Sequence, residues 1–511
     1  MNYDLLITNV VIADGTGGPL FSGQVAVQGG RIAAVYHGTP LFASDADRVV
    51  DGGGKLLTPG FVDVHTHCEN AILRDPVAAH KLAQGITTLI TGHCGESVYP
   101  TGTFADLDHY RAACQQQGLG VNLVSMTGHG NLRESVLGAG NVACDLEGLS
   151  AMAAVLERQL DQGAAGLSSG LEYAPGMYAD SNELAALVDV CAARDRVYST
   201  HMRCEGSRLL EAANEAITVA QHTGCRTVLS HLKACGKPNH GKVRTVLTMM
   251  DSANVQGCDV YADAYPYPAA STGLSIVLPQ WTLDNGMEQL PALLASPEAR
   301  AEIHRWFTLG TDVWENRSIV TGWENISIAF AEHPAIVPLI GKNMAEIAQL
   351  RQQDPVDALM DLLQLEGKDI PGILRSACEE DLRTAYAHPR VMVCSDSTDV
   401  AGGRPHPRLY GSHSRYLCHY ADLHDDFAVA SAVRRMTGLP AQVYNLSEIG
   451  AVTVGKRADL ALWDPAAVRD LATFEDPYQL SQGMEAVWVG GQLAWDRDHA
   501  TGTLSGAFLT L

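Results

Sequence analysis

The 511-residue sequence predicts an α/β fold: a (β/α)8, TIM-like barrel with a small β-sandwich domain formed by both chain termini and an insertion late in the barrel. Three observations carry that prediction. Apolar runs of strand length alternate with helix-patterned stretches through the middle of the chain. Short apolar and β-branched runs broken by Gly pairs occupy both ends. One tryptophan-rich stretch interrupts the rhythm late in the alternation.

The first 57 residues contain DLLITNVVIADG, GQVAVQGGRIAAVY and GGGKLLTPG, which read as strands and turns. Residues 445–511 repeat the texture in VTVGKRADLALWDP and MEAVWVGGQLAWD, with a hairpin turn at Gly490-Gly491. These ends are expected to form one β-domain, because chain termini often lie close together. Residues 58–444 hold the barrel. Its strands are read in FVDVHTH, ITTLITGHCG, VNLVSMTGHG, GLSSGLEY, RVYSTHM, TVLSHLKA, DVYADAYPY and VMVCSDS. Helical stretches such as SRLLEAANEAITVAQHTG lie between them, this one with a Gly stop at Gly224. The insertion, 278–341, carries Trp281, Trp306, Trp314 and Trp323 and is read as a lid over the barrel mouth.

Composition narrows the function. Apolar residues at 46% supply enough surface to offset the ordering entropy of a folded chain. A net charge of −23 argues against nucleic acid and against anionic membrane surfaces as partners. No apolar run is long enough to span a bilayer and the N-terminus has no signal-peptide pattern, so a cytoplasmic protein is expected. Twelve cysteines without a CxxC pair read mostly as small buried hydrophobes of a reducing compartment.

The chemistry-bearing residues fall at the ends of the apolar runs. His65 and His67 close the first, Cys94 the second, His201 the fifth, His231 the sixth and Asp396 the eighth. Strand alternation sends His65 and His67 to one side and points His93 away from Cys94. In a closed barrel these ends converge on one mouth. Imidazole, thiolate and carboxylate together form a zinc-type ligand set. Taken singly, each has a structural explanation, such as an N-cap for Asp396; the joint placement carries the metal reading.

PGFVDVHTH, SHLK and the SDS of the last strand resemble the amidohydrolase superfamily. TGHCG, SSGLEYAPGMY, HMRCEGSRLLEAANEA, SHLKACGKPNHGK, DAYPYPAAST and MTGLPAQVYNL resemble, in order, the D-aminoacylase (N-acyl-D-amino-acid deacylase) family. The resemblance implies zinc-dependent hydrolysis of the amide of N-acyl-D-amino acids by metal-activated water, with Asp396 as general base and acid. One tightly bound Zn2+ would be held by Cys94, His201 and His231. A second, weaker position would be lined by His65, His67 and Asp396. Tyr173 would face the substrate carbonyl, and Lys233 and Arg408 its α-carboxylate; Tyr265 and Ser271 match further substrate contacts. The implied partner is a small N-acylated amino acid.

The chain departs from the family pattern at His93, at Cys68-Glu69, at the Ser after Asp396, and at GSHSRYL, which brings His413 near the expected substrate region. Acidic and neutral side chains both stay open. So do a cyclic amide, which would favour a carbamylatable Lys at the fourth strand, and a dipeptide. A binding scaffold that has lost catalysis is disfavoured, because all six ligand positions are occupied.

Overall fold

A computed structural model of the chain describes residues 3–37, 45–310, 314–398 and 402–511. Eight parallel strands form the barrel: Phe61–Asp63, Ile86–Thr91, Asn122–Ser125, Gly166–Gly170, Val197–His201, Thr227–Leu229, Val260–Ala264 and Val391–Val393. Successive strands pair in parallel, with Thr127–Gly128 bridging the third to the fourth. The ring closes where Ser397 and Thr398 pair with Thr66 and His67.

Alternation along these strands divides the core. Val62, Ile90, Val124, Val197, Val228 and Met392 belong to the cluster filling the barrel. Their neighbours Phe61, Leu89, Leu123, Tyr198, Leu229 and Val391 pack outward with the helices. The strands are therefore buried on both faces and read as continuous apolar runs. Leu439, Val443 and Tyr444, around the short helix Gly438–Val443, join the barrel-filling cluster.

The chain ends build one nine-stranded sheet, eight strands in a continuous hydrogen-bonded path and Val49–Asp51 paired off it with the N-terminal strand. Leu460–Trp463 pairs antiparallel with Leu56–Pro59, which itself lies beside the N-terminal strand Leu5–Ile12. Ile7, Val25, Leu57, Leu460 and Trp488 share the core of this domain.

Between the seventh and eighth barrel strands lies a segment with its own apolar core, from Leu274 to Leu374. It includes a three-stranded antiparallel sheet of Ala270–Gly273, Ile326–Ile328 and Pro371–Leu374. The expected insertion, 278–341, sits inside this larger unit, with 311–313 outside the described residues. Trp281 and Trp323 pack against its core rather than outward. No helix among the described residues is long and apolar enough to cross a membrane.

One glycine governs how the second strand hands over to Cys94. Gly92 has φ +79°, and a Cβ there would lie 2.2 Å from the Met126 carbonyl oxygen. Gly92→Ala is therefore expected to lower stability by about 3 kcal/mol, read as a reduced denaturation midpoint. An unchanged midpoint would show that the turn relaxes without penalty.

Candidate metal centre

Three of the residues at the barrel mouth sit in turns just beyond their strands. Cys94, His231 and Asp396 have φ of +53°, +37° and +49°. This region is uncommon for residues other than Gly, and such strain concentrates at functional sites. His65 reaches the mouth by another irregularity. Val62 and Val64 point into the barrel, so regular alternation would send His65 outward; a bend at His65 resets the phase.

The outcome is two overlapping donor groups. His65, His67, Cys94 and Asp396 present ligand atoms within 4.8 Å of one another, as do Cys94, His201 and His231. Cys94 Sγ lies 3.3 Å from His65 Nε2 and 3.4 Å from His231 Nε2. Asp396 Oδ1 lies 3.4 Å from His65 Nε2 and 3.3 Å from His67 Nε2. His93 belongs to neither group; its ring stacks on His65 at 4.0 Å.

These donors fit a metal. His201 Nδ1 is fully buried with no hydrogen-bond partner, an expensive state for a nitrogen unless something coordinates it. Burial, then the charge of Asp396, pushes the Cys94 thiol well above its usual range, so a thiolate here needs a cation beside it. Burial likewise drives His65 well below its usual range and keeps it neutral, as a ligand imidazole must be.

Carboxylates back the histidines, a layer that the sequence reading missed. Glu172 Oε2 lies 3.2 Å from His201 Nε2. Glu205 Oε1 lies 3.0 Å from His231 Nδ1. Asp263 accepts the backbone N–H of His231 at 2.7 Å and comes within 3.5 Å of His65 Nδ1 without a hydrogen bond to it. Such partners fix the tautomer and tilt of ligand rings. All three were visible as acids within the motifs that carry the resemblance, Glu172 in GLEY, Glu205 in HMRCEG and Asp263 at the head of DAYPYPAAST. Nothing in the spacing tied them to the histidines.

The expected substrate residues line the same cavity, of about 590 Å3, together with His67, Cys94, His201, His231 and Asp396; His65 lies buried behind it. Arg408 donates to Asp396 Oδ2 at 2.7 Å and to the Ser271 carbonyl oxygen at 3.3 Å. Lys233 donates to Glu205 at 2.5 Å. Both cations lie by the Tyr265 ring, at 4.8 and 5.5 Å from its centroid. The buried Tyr265 hydroxyl has no partner. Tyr173 shares a hydrogen bond of 3.1 Å with Thr272, from the inserted sheet. His413 does not reach this cavity. It lies on the outer side of the first strand, stacked on Phe61, with Nε2 3.3 Å from the Val62 carbonyl oxygen. The helix Arg408–His419 carries Arg408 at its first residue, and His413 one and a half turns on faces the barrel wall.

A family model described as the amidohydrolase family matches residues 48–494. The N-acyl-D-glutamate deacylase of Alcaligenes xylosoxydans xylosoxydans is 33% identical over 506 residues, 96% of this chain and 93% of that one. The chain is an amidohydrolase of the D-aminoacylase family. Among solved structures, the N-acyl-D-glutamate deacylase of Bordetella bronchiseptica, complexed with zinc and a phosphonate inhibitor that mimics the tetrahedral intermediate, superimposes on this amidohydrolase with a TM-score of 0.84. It is 31% identical and both chains are covered in full. A D-aminoacylase studied for its binuclear metal centre gives a TM-score of 0.82 at 30% identity, again with full coverage of both chains.

Beneath Asp396 the amidohydrolase has a buried network. Lys81 Nζ donates to Asp63 Oδ2 at 2.9 Å, Ser397 Oγ at 2.8 Å and Ser395 Oγ at 3.2 Å. The two serines flank Asp396, so Lys81 and Asp63 hold its turn from below. Lys81→Met is expected to cost about 3–5 kcal/mol of stability by stranding Asp63, and Ser397→Ala about 1 kcal/mol. Chemical denaturation checks both; equal losses would place the weight elsewhere than on the ion pair.

Proposed function

We propose that this protein hydrolyses the amide bond of N-acyl-D-amino acids, releasing a D-amino acid and a carboxylate, with zinc as its metal. The observation that carries the reading is the convergence of Cys94, His201 and His231 with His65, His67 and Asp396 around one cavity that also holds two buried cations. Names borne by the relatives point to the same reaction. Cys94, His201 and His231 would hold the tight zinc through Sγ, the unpartnered Nδ1 and Nε2 respectively. His65, His67 and Asp396 would line a second, weaker position.

When bound, zinc acidifies a water and polarises the amide carbonyl. The remaining work belongs to side chains. Asp396 accepts a proton from the attacking water and passes it to the departing nitrogen. Burial acts to raise its pKa, but Arg408 and the neighbouring imidazoles hold it well below the usual carboxylate range, so it is ionised and ready to accept. Arg408 takes the substrate α-carboxylate with its planar fork, and Lys233 adds charge from beside Glu205. Tyr173, Tyr265 and Ser271 line the same cavity, where their hydroxyls would meet the substrate. Ile276, Pro371 and Leu374 give the cavity an apolar wall from the insertion. That wall excludes water from the reacting amide.

Amine release by the zinc-loaded protein from paired N-acetyl-D and N-acetyl-L forms of Met, Leu, Phe, Glu and Asp tests this. Turnover is expected on D-forms only, and Asp396→Asn should lower kcat by about 10^2- to 10^4-fold while zinc stays bound. Absence of turnover on every member would sink the proposal and turn attention to cyclic amides.

A further inference from the structure

The insertion does more than wall the cavity. Arg317 opens the short helix Arg317–Val320 within it, and the residue is only 4% exposed. Its Nη2 donates to Glu172 Oε2 at 2.7 Å, the same oxygen that lies 3.2 Å from His201 Nε2. The other carboxylate oxygen of Glu172 accepts the backbone N–H of Glu205 at 3.3 Å. Glu172 is thus held at both oxygens, and the ring it backs is left with a buried, unpartnered Nδ1.

A second contact ties the same stretch down. Glu315 accepts from Ser207 Oγ at 2.5 Å and from Ser207 N–H at 3.1 Å. A Cβ at Gly206 would come within 1.9 Å of Glu315 Oε1, so the close approach depends on glycine. The insertion therefore grips two loops at the mouth: Glu315 holds the one after the fifth barrel strand, at Cys204 and Ser207, three and six residues beyond His201, and Arg317 holds Glu172 just after the fourth.

We propose that Arg317 is a positioning residue for the metal centre: acting through Glu172, it fixes the orientation and tautomer of His201 and so couples docking of the insertion to metal affinity. This rests on the reading of His201 as a zinc ligand. An imidazole free to rotate about its χ2 loses the aim of Nδ1; a carboxylate on Nε2–H removes that freedom only if the carboxylate is itself fixed. The guanidinium supplies the fixing by a charge-assisted hydrogen bond in a water-poor setting. The coupling runs both ways, so a bound metal also tightens the grip of the insertion.

Zinc release from the loaded protein to a chromogenic chelator is the measurement, on wild type, Arg317→Met, Glu172→Gln, the double variant and His201→Ala. Both single variants are expected to release zinc ~10- to 100-fold faster than wild type. The double variant should match either single one, since the pair acts as a unit. It also guards against a folding artefact, because it strands no buried carboxylate. Wild-type release by Arg317→Met, or its restoration in the double variant, would overturn the proposal while leaving the ligand reading intact. Wild-type zinc retention by His201→Ala would remove the ligand reading, and the proposal with it.

Discussion

The backbone N–H of Asp396 donates to the carbonyl oxygen of His65 at 2.8 Å. That bond, with the pairing of Ser397 and Thr398 against Thr66 and His67, is where the eighth strand meets the first. Everything at the mouth depends on this seam. More than 300 residues of chain separate the two sides, and both supply donors to the same few ångströms of space. An open sheet would leave His65 and Asp396 on opposite edges. Closure brings a carboxylate against two imidazoles without any local sequence signal that they belong together, and the positive φ of Asp396 turns its side chain inward at the point of contact.

Around that seam the site is organised by compensation of buried charge. Asp396 faces Arg408, Glu205 faces Lys233, Glu172 faces Arg317, and Asp63 faces Lys81. Each pair is almost entirely removed from water, where an unmatched ion is heavily penalised. Three of the four carboxylates also touch a candidate ligand or are one themselves. The cations therefore do not merely neutralise; they keep acids ionised at sites where burial alone would protonate them, as for Glu205, held well below its usual range by Lys233 against the pull of burial. Arg408 and Lys233 come from the barrel mouth, Lys81 from beneath it and Arg317 from the insertion, so the barrel and the insertion both supply countercharges.

Much of this was legible in the chain. The alternation of apolar runs and helical stretches pointed to the barrel, and the polar residues at run ends, His65 through Asp396, are those that the fold gathers. Legibility failed where geometry departs from regular periodicity. Alternation alone would have turned His65 outward, and the bend that corrects it has no composition of its own. Glu172 and Glu205 stand in quoted motifs, yet their roles arise from side-chain reach across strands. Lys81, in the short helix between His67 and Cys94 and more than 300 residues before Asp396, gives no sign that it lies under that carboxylate. His413 was expected near the substrate because it follows Arg408 closely; helical rotation puts it on the barrel wall. The insertion was seen through its tryptophans, whereas its true extent is set by an apolar core that reaches Leu374.

The sheet shared by the two ends of the chain bears on how the molecule is made. Leu56–Pro59 waits for Leu460–Trp463, and Asn122 on the third barrel strand donates to Asp459 at 2.8 Å and accepts the N–H of Ala507 at 3.0 Å. On the ribosome, the N-terminal strands emerge long before these partners. At about 5–20 residues per second, some 400 residues of synthesis take tens of seconds. Throughout that interval an unpaired strand edge is exposed. Final assembly therefore waits for residues 459–507, and until they arrive the nascent chain carries an open β-edge of the kind that invites pairing with other chains.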